Sequence, residues 1–114
     1  EKQVVEAIEW VGLSDKIKSR PAMLSGGECQ RTAIARAIVH QPTLILADEP
    51  TANLDAENSH HIMKIMVRLK KELSTSFIFA THDEKVMGYL RRIIHLEDGE
   101  IAKDENIDKP EFDE

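Results

Sequence analysis

Three titratable side chains stand directly after apolar segments, at points where buried strands would end. Asp48 and Glu49 close the segment TLILADE, and His82 follows SFIFAT. Side chains of adjacent residues on a strand point in different directions. One carboxylate can therefore hold Mg²⁺ beside a nucleotide's phosphates while the other orients or deprotonates the attacking water. These residues predict a site that hydrolyses a terminal phosphate. The alternative is that they are solvated loop residues without a chemical role.

A second candidate site is the sequence LSGGE, residues 24–28, which precedes an apolar helical pattern. The N-terminus of a helix exposes unpaired backbone amides and a partial positive charge, and both favour anions. Gly26 and Gly27 lack a Cβ atom, so a triphosphate could approach the backbone there, and Ser25 adds a hydroxyl. The alternative is that Ser25 only caps the helix.

The remaining polar candidates give weaker signals. Asp55 is placed to cap a helix that follows it. His60 and His61 are neighbours on that helix and diverge from one face, while His40 and His95 have no companions at ligand spacing. We therefore do not expect a zinc site.

The elements that must position these residues alternate between helical and strand patterns. The expected helices are 2–13, about 26–40, 55–71 and a short one ending near 89, and the expected strands are 43–48, 76–81 and two strands around Asp98 and Gly99. Such alternation is typical of a parallel α/β sheet, whose ligands lie at the carboxyl ends of the strands.

The same periodicity predicts which apolar residues are buried. We expect strand 43–48 to be covered on both faces, as in the centre of a parallel sheet. The expected helical stripes are Val4, Val5, Ile8 and Val11 in the first helix, Ala33, Ile34, Ala37 and Ile38 in the second, and Ile62, Ile65, Met66 and Leu69 in the third.

Composition narrows the class of protein. The chain has 114 residues, 41% of them hydrophobic and 32% charged, which indicates one folded domain or part of one. Cys29 is the single cysteine, so no internal disulfide can form and a reducing compartment is expected. The net charge of −6 opposes nonspecific binding to nucleic acid. No apolar segment approaches the roughly 20 residues needed to cross a bilayer, so any membrane role requires a partner.

Four segments in a fixed order point to a family: LSGGE, LILADEP, ANLD and ATHD. From about Val4 to Ile101 the chain resembles the ATP-binding cassette ATPases of ABC transporters. In that family these segments are the signature loop, the Walker B strand, the D-loop and the switch histidine. The segments LADEPT and NLD are most similar to those of exporters of the lipoprotein-releasing and macrolide-efflux type. Cys29, where glutamine is common, and Ala52, where glycine is usual, depart from the pattern.

The resemblance implies an α/β fold: part of a P-loop NTPase with a parallel sheet flanked by helices and a portion of the helical subdomain at the N-terminus. It divides the chain into a helical portion at 1–40, the ATPase core at 41–105 and an acidic tail at 106–114. The implied cofactors are ATP and Mg²⁺. The implied site residues are Asp48 for the metal, Glu49 and His82 for catalysis, and Ser25, Gly26, Gly27, Glu28 and Asp55 for the nucleotide.

The resemblance also implies partners. Two cassettes face head to tail, so that each signature loop contacts the nucleotide held by the other, and a separate membrane-spanning subunit carries out transport. Such a protein lies on the cytoplasmic face of the membrane without inserting into it, and we expect no nucleic-acid ligand.

One motif of the family is missing from the sequence. None of the five glycines belongs to a GxxxxGK[ST] phosphate-binding loop. We therefore expect that the 114 residues alone do not hydrolyse ATP, that they are a fragment, as Glu1 in place of methionine also suggests, and that their sheet leaves apolar faces open.

Two other classes remain open from the sequence. The DNA-repair and chromosome-maintenance ATPases share an LSGGE-like loop, but residues 1–23 lack sustained heptads and the chain is acidic. A noncatalytic interaction fragment is the third possibility.

Overall fold

The described part of the chain in a computed structural model is residues 1–107. Two short 3₁₀ turns, Ser14–Lys16 and Pro21–Met23, separate the first two helices. The elements are α1 (Lys2–Trp10), α2 (Gly26–Ile38), β1 (Leu44–Asp48), α3 (Ala56–Leu73), β2 (Ser76–Ala80), α4 (Glu84–Met87), β3 (Arg92–Glu97) and β4 (Glu100–Asn106). No helix among these residues is long and apolar enough to span a bilayer.

Strands β1 and β2 form the parallel pair that the alternation predicts. Their register runs from Leu44 opposite Ser76 to Asp48 opposite Ala80. Because the two strands are parallel, with α3 as the connection between them, their carboxyl ends lie at the same end of the pair. The residues after Asp48 and Ala80 meet there. The predicted parallel α/β arrangement is confirmed.

Strands β3 and β4 form a separate antiparallel hairpin. Its turn is made by Asp98 and Gly99, whose φ angles of 50° and 79° are left-handed. This is the Asp-Gly turn expected from the sequence. A register irregularity falls between His95 and Leu96.

Helix α3 is the centre of the core. All four residues of its predicted stripe are buried, and Met63 is buried with them. The helix begins at an Asp55 cap, as predicted, and ends where Ser74 adopts a left-handed φ of 54°. Its apolar face packs in one cluster with residues of α1, α2, β1 and α4.

The predicted faces of α1 and α2 were partly wrong. In α1 the buried residue is Ala7, whereas Val4 is exposed; Val11, just beyond the helix, is buried as predicted. In α2 it is Ala35, not Ala37, that is buried. The reason is packing: α2 contacts both α1 and α3, so its buried face is set by two neighbouring helices. Helix α2 also ends at Ile38, two residues before the expected end.

The expectation that β1 is covered on both faces was also wrong. Ile45 is buried, but Leu44 and Leu46 are 49% and 73% exposed, and Ile78 of β2 is 57% exposed. Ile45 belongs to the core cluster, and Ala47, Phe77 and Phe79 pack against that cluster, so the core covers one face of the pair. The prediction that the sheet leaves an apolar face open is confirmed for residues 1–107.

The core cluster contains residues from both sides of the predicted boundary at 40/41. The division into 1–40 and 41–105 stays a prediction. Within the predicted acidic tail, Asn106 is the last residue of β4. Residues 108–114 of that tail lie outside the described residues.

Candidate functional site

Asp48 and Glu49 are separated by a sharp change in backbone direction. Asp48 is the last residue of β1 and is exposed. Glu49 has a φ of 48°, a left-handed conformation that is uncommon for a residue other than glycine. Its amide donates to the carbonyl oxygen of Ala80 at 2.7 Å. The turn therefore remains attached to β2 while it takes the Glu49 side chain off the line of the strand.

Glu49 and His82 are in direct contact. Oε1 of Glu49 lies 2.8 Å from Nδ1 of His82, and the Thr81 hydroxyl donates to Oε2 at 3.3 Å. An ionised carboxylate can only accept hydrogen bonds, so a hydrogen bond to ionised Glu49 requires a form of His82 that has its proton on Nδ1. The His82 side chain is 91% exposed, which leaves Nε2 available to a ligand. We call Asp48, Glu49 and His82 the strand-end cluster.

Asp83 ties together the two loops that carry this cluster. Its Oδ2 accepts from the hydroxyl of buried Thr51 at 2.8 Å, and its Oδ1 accepts from the amide of Lys85 at 2.9 Å. Those two hydrogen bonds, the Lys85 amide first, lower the pKa of Asp83 below its usual value. Asp83 thus stays ionised at neutral pH and holds the loop after Glu49 against the loop after β2.

The segment 25–28, which we call the helix-start loop, forms a capping box. The Ser25 hydroxyl accepts from the Glu28 amide at 3.1 Å, and Oε1 of Glu28 accepts from the Ser25 amide at 2.9 Å. The second of these bonds is the main reason that the pKa of Glu28 is lowered. Lys16 Nζ lies 3.9 Å from the other carboxylate oxygen. Both side chains of the box are therefore engaged within the helix start.

The two glycines of the loop differ in their surroundings. A Cβ atom on Gly27 would lie 2.7 Å from Oδ1 of Asn58, which is too close for any ordinary contact. On Gly26 it would meet Leu54 at a comfortable 3.6 Å. The packing of α2 against α3 thus favours glycine at position 27, because a Cβ atom there would force the Asn58 side chain to move, a reason that the sequence argument missed. Gly26 is exposed, and within residues 1–107 no hydrogen bond is formed by the amide of either glycine.

Asp55 lies beside the helix-start loop. Its Oδ1 accepts from the Asn58 amide at 2.8 Å, and the residue is exposed. Because Asn58 also packs against Gly27, the first turns of α2 and α3 are neighbours. The structure therefore gathers the predicted residues into two groups: the strand-end cluster, and the helix-start loop together with Asp55.

Sequence reasoning missed the hydrogen bond that links α2 to the strand-end turn. Nε2 of Gln30 donates to the carbonyl oxygen of Pro50 at 2.6 Å. Twenty residues separate the pair. A glutamine within a helix gives no sequence signal for such a contact, so it could not have been found from the pattern.

Asp48 is a suitable ligand for the Mg²⁺ ion that accompanies a nucleotide. Within residues 1–107, no group of three His, Cys, Asp or Glu side chains could hold a metal ion by itself. Mg²⁺ usually keeps several waters and binds one or two carboxylates together with the phosphates of its substrate. One exposed carboxylate at a strand end suits that pattern.

Comparison with known proteins agrees with this geometry. The sequence model of the family described as ABC transporter matches residues 1–52. The lipoprotein-releasing system ATP-binding protein LolD of Legionella pneumophila is 43% identical over 101 residues, which are 89% of this chain and 44% of that protein. The chain belongs to the ABC transporter ATP-binding family. Another member, the cell division ATP-binding protein FtsE of Streptococcus pneumoniae, is 43% identical over 114 residues, covering 99% of this chain and 49% of its own length.

Solved structures of ABC cassettes share the fold. The dimeric cassette MJ0796, in a post-hydrolysis state bound to ADP and Pi, matches with a TM-score of 0.78 and 38% identity over 92% of this chain and 46% of its own. The CbiO1 protein from Clostridium perfringens, part of an ABC transporter complex, matches with a TM-score of 0.87 and 33% identity over 92% and 42%. The predicted family and its P-loop NTPase fold are confirmed. The chain spans about half the length of these ABC relatives.

Proposed function

We propose that residues 1–114 provide the hydrolytic carboxylate and the partner-facing loop of an ATP-hydrolysing ABC transporter subunit. The observation that carries this proposal is the contact between Glu49 and His82 at the carboxyl ends of two parallel strands, directly after the exposed Asp48. It brings a base, a histidine and a potential metal ligand to one edge, although the base and the histidine are 33 residues apart in sequence.

Each residue of the strand-end cluster has a proposed role. Glu49 orients the water that attacks the terminal phosphate and accepts its proton. In its doubly protonated form His82 donates through Nδ1 to Glu49 and through the outward Nε2 to an oxygen of the terminal phosphate. Asp48 would hold Mg²⁺, which when bound neutralises charge on the phosphates. The left-handed turn at Glu49 separates the two carboxylates, so that each can serve its own task.

The helix-start loop has a different proposed role. Its unbonded amides at Gly26 and Gly27, with the helix dipole behind them, suit the phosphates of a nucleotide held by a second subunit. The dimeric state described for MJ0796 supports a pair of cassettes, for which we propose the head-to-tail arrangement. Ser25 can still donate its hydroxyl proton while its oxygen accepts from Glu28, and Glu28 holds the loop in shape. Asp55, beside the loop, would face the same partner.

The phosphate-binding loop must come from outside residues 1–114, since none of their glycines begins one. We use "complete cassette" for these residues together with the polypeptide that supplies that loop. We propose that the complete cassette hydrolyses ATP and that residues 1–114 alone do not. We also propose that the cassette lies on the cytoplasmic face of the membrane, where a membrane-spanning partner uses the energy. Relatives named for lipoprotein release and for cell division are equally identical to the chain, so we make the proposal for a transporter subunit of either kind.

The test is Glu49→Gln in the complete cassette. Removing the base while keeping the shape should lower kcat by at least about 100-fold and leave ATP binding unchanged. Steady-state phosphate release and nucleotide titration measure the two quantities. Glu9→Gln, the same change at an exposed position of α1, is the matched control and should retain the full rate.

Two results would contradict the proposal. One is an equal loss of ATP binding and turnover in Glu49→Gln, which would make Glu49 a binding group. The other is ATP turnover by residues 1–114 alone that disappears with Glu49→Gln, which would show that no further loop is needed.

A further inference from the structure

Gln30 connects two parts of the molecule that otherwise carry separate chemistry. It lies in α2, four residues after Gly26, about one helical turn from the start of the helix. Its side-chain amide donates to the carbonyl oxygen of Pro50 at 2.6 Å. Pro50 directly follows Glu49 and is buried. The helix that begins at the helix-start loop therefore also contacts the turn that carries the proposed base.

The Pro50 carbonyl depends on this donor. Proline has no amide hydrogen, so the carbonyl oxygen is its one backbone polar group. Among residues 1–107, Gln30 is the donor found for that oxygen. A buried carbonyl without a partner is costly, so the turn should shift if the donor is lost.

The Glu49 turn is held from three sides. The Glu49 amide donates to Ala80 on β2, and the Ala52 amide donates to the Glu49 carbonyl at 3.1 Å within the turn itself. Gln30 supplies the third bond, the one from α2. A left-handed φ at a non-glycine residue persists where the surroundings over-determine it, and these bonds do so here.

We propose that Gln30 is a positioning residue for Glu49: it fixes the turn of the base and ties it to the helix whose first residues face the partner's nucleotide. This inference rests on the proposed function. In a head-to-tail dimer, α2 of one subunit would contact the partner's nucleotide through residues 25–27 and, through the bond from Gln30 to Pro50, the turn that carries the base of its own site. Movement of α2 would then change the position of Glu49.

The first experiment removes the donor without removing the volume. Gln30→Met and Gln30→Glu keep a similar shape, but neither an apolar thioether nor an ionised carboxylate can donate to Pro50. In the complete cassette, kcat should fall roughly tenfold while KM for ATP stays within about twofold. Gln30→Lys, which restores a donor, should recover part of the rate. The matched control is Gln3→Glu, the same chemical change on the exposed surface of α1, which should keep the full rate.

The second experiment separates positioning from general destabilisation of α2. Mixed dimers are prepared in which one subunit carries Glu49→Gln, so that one site works. Gln30→Met is then placed either in the subunit with the intact base or in the other subunit. Both dimers contain the same two substitutions. Turnover should be roughly tenfold lower when Gln30→Met shares a chain with the intact Glu49, because the hydrogen bond acts within a chain.

The outcomes distinguish this inference from the proposed function. Equal turnover of the two mixed dimers, or an unchanged kcat in Gln30→Met, would overturn the positioning role while ATP hydrolysis by the unsubstituted cassette stands. A fall in thermal midpoint with kcat per folded molecule unchanged would overturn it as well. A complete cassette that hydrolyses no ATP would overturn both.

Discussion

The strand-end cluster presents side chains to solvent for its chemistry, whereas the helix-start loop presents its backbone. In the cluster, the amide and the carbonyl of Glu49 are both occupied by backbone hydrogen bonds, and the side chains of Asp48 and His82 are presented to solvent. In the loop, the side chains of Ser25 and Glu28 are occupied with each other's amides, and the backbone of Gly26 is left open. The cluster should therefore be sensitive to side-chain chemistry and the loop to backbone shape.

The two regions also differ in how their geometry is enforced. The cluster depends on contacts between distant segments, such as Thr51 with Asp83. The capping box spans residues 25–28 and forms within one helical turn. Local geometry of this kind follows from neighbouring residues, whereas the geometry of the cluster exists only after the strands have paired.

The largest expected effect concerns side-chain chemistry in the cluster. His82→Ala in the complete cassette should lower kcat about 100-fold, because it removes both the bond to Glu49 and the outward nitrogen. ATP affinity should change little. The measurement is phosphate release with a parallel nucleotide titration. His40 is an exposed histidine outside the cluster, so His40→Ala serves as the control. An equal loss of kcat in that variant would show that the effect is not specific to the strand-end cluster.

The next effect concerns backbone shape in the loop. Gly27→Ala should destabilise the fold by about 1–3 kcal/mol, because its Cβ would overlap Oδ1 of Asn58. Gly26→Ala should change the free energy of unfolding by less than about 1 kcal/mol, since its Cβ has room. Urea unfolding measures both. Asn58→Ala should rescue Gly27→Ala in a double-mutant cycle; strict additivity of the two changes would refute the steric explanation.

A smaller effect is expected from the capping box. Ser25→Ala should cost about 1 kcal/mol of unfolding free energy, whereas Glu28→Gln should cost less because glutamine can close the same box. Thermal unfolding of both variants tests this order. If Glu28→Gln were the more damaging change, the negative charge of Glu28 near Lys16 would matter more than its hydrogen bond.

The smallest effect is a pH dependence from Asp83. Its pKa is lowered in the folded state by the Lys85 amide and Thr51, so ionised Asp83 stabilises the fold fully above its ordinary pKa of 3.8. This contribution is lost as pH falls from 3.8 through the lower folded-state pKa. The difference in thermal midpoint between the unsubstituted chain and Asp83→Asn should thus be constant above about pH 5 and shrink in acid. A constant difference down to pH 2 would contradict the assignment.

Several features could be predicted because they depend on short-range pattern. The apolar stripe of α3 is buried as its periodicity requires, and Asp55 and Ser25 cap their helices. The choice between Ala35 and Ala37 in α2 could not be predicted, since it depends on which helices pack against it. The strand pattern wrongly predicted cover on both faces of β1, because an apolar strand reads alike whether one or both faces are covered; the open face at Leu46 was expected only from the missing half of the family's sequence.

The sequence by itself determined the order of the motifs, the strand-helix-strand alternation typical of parallel strands, and the types of residue at the strand ends, because helical and strand periodicity and capping chemistry act over a few residues. Only the tertiary structure decided that Glu49 meets His82, that Gln30 reaches Pro50 and that Gly27 packs against Asn58. Each of these contacts joins residues at least 20 positions apart, and their atoms meet only when the packed helices and the paired strands fix the distances between segments.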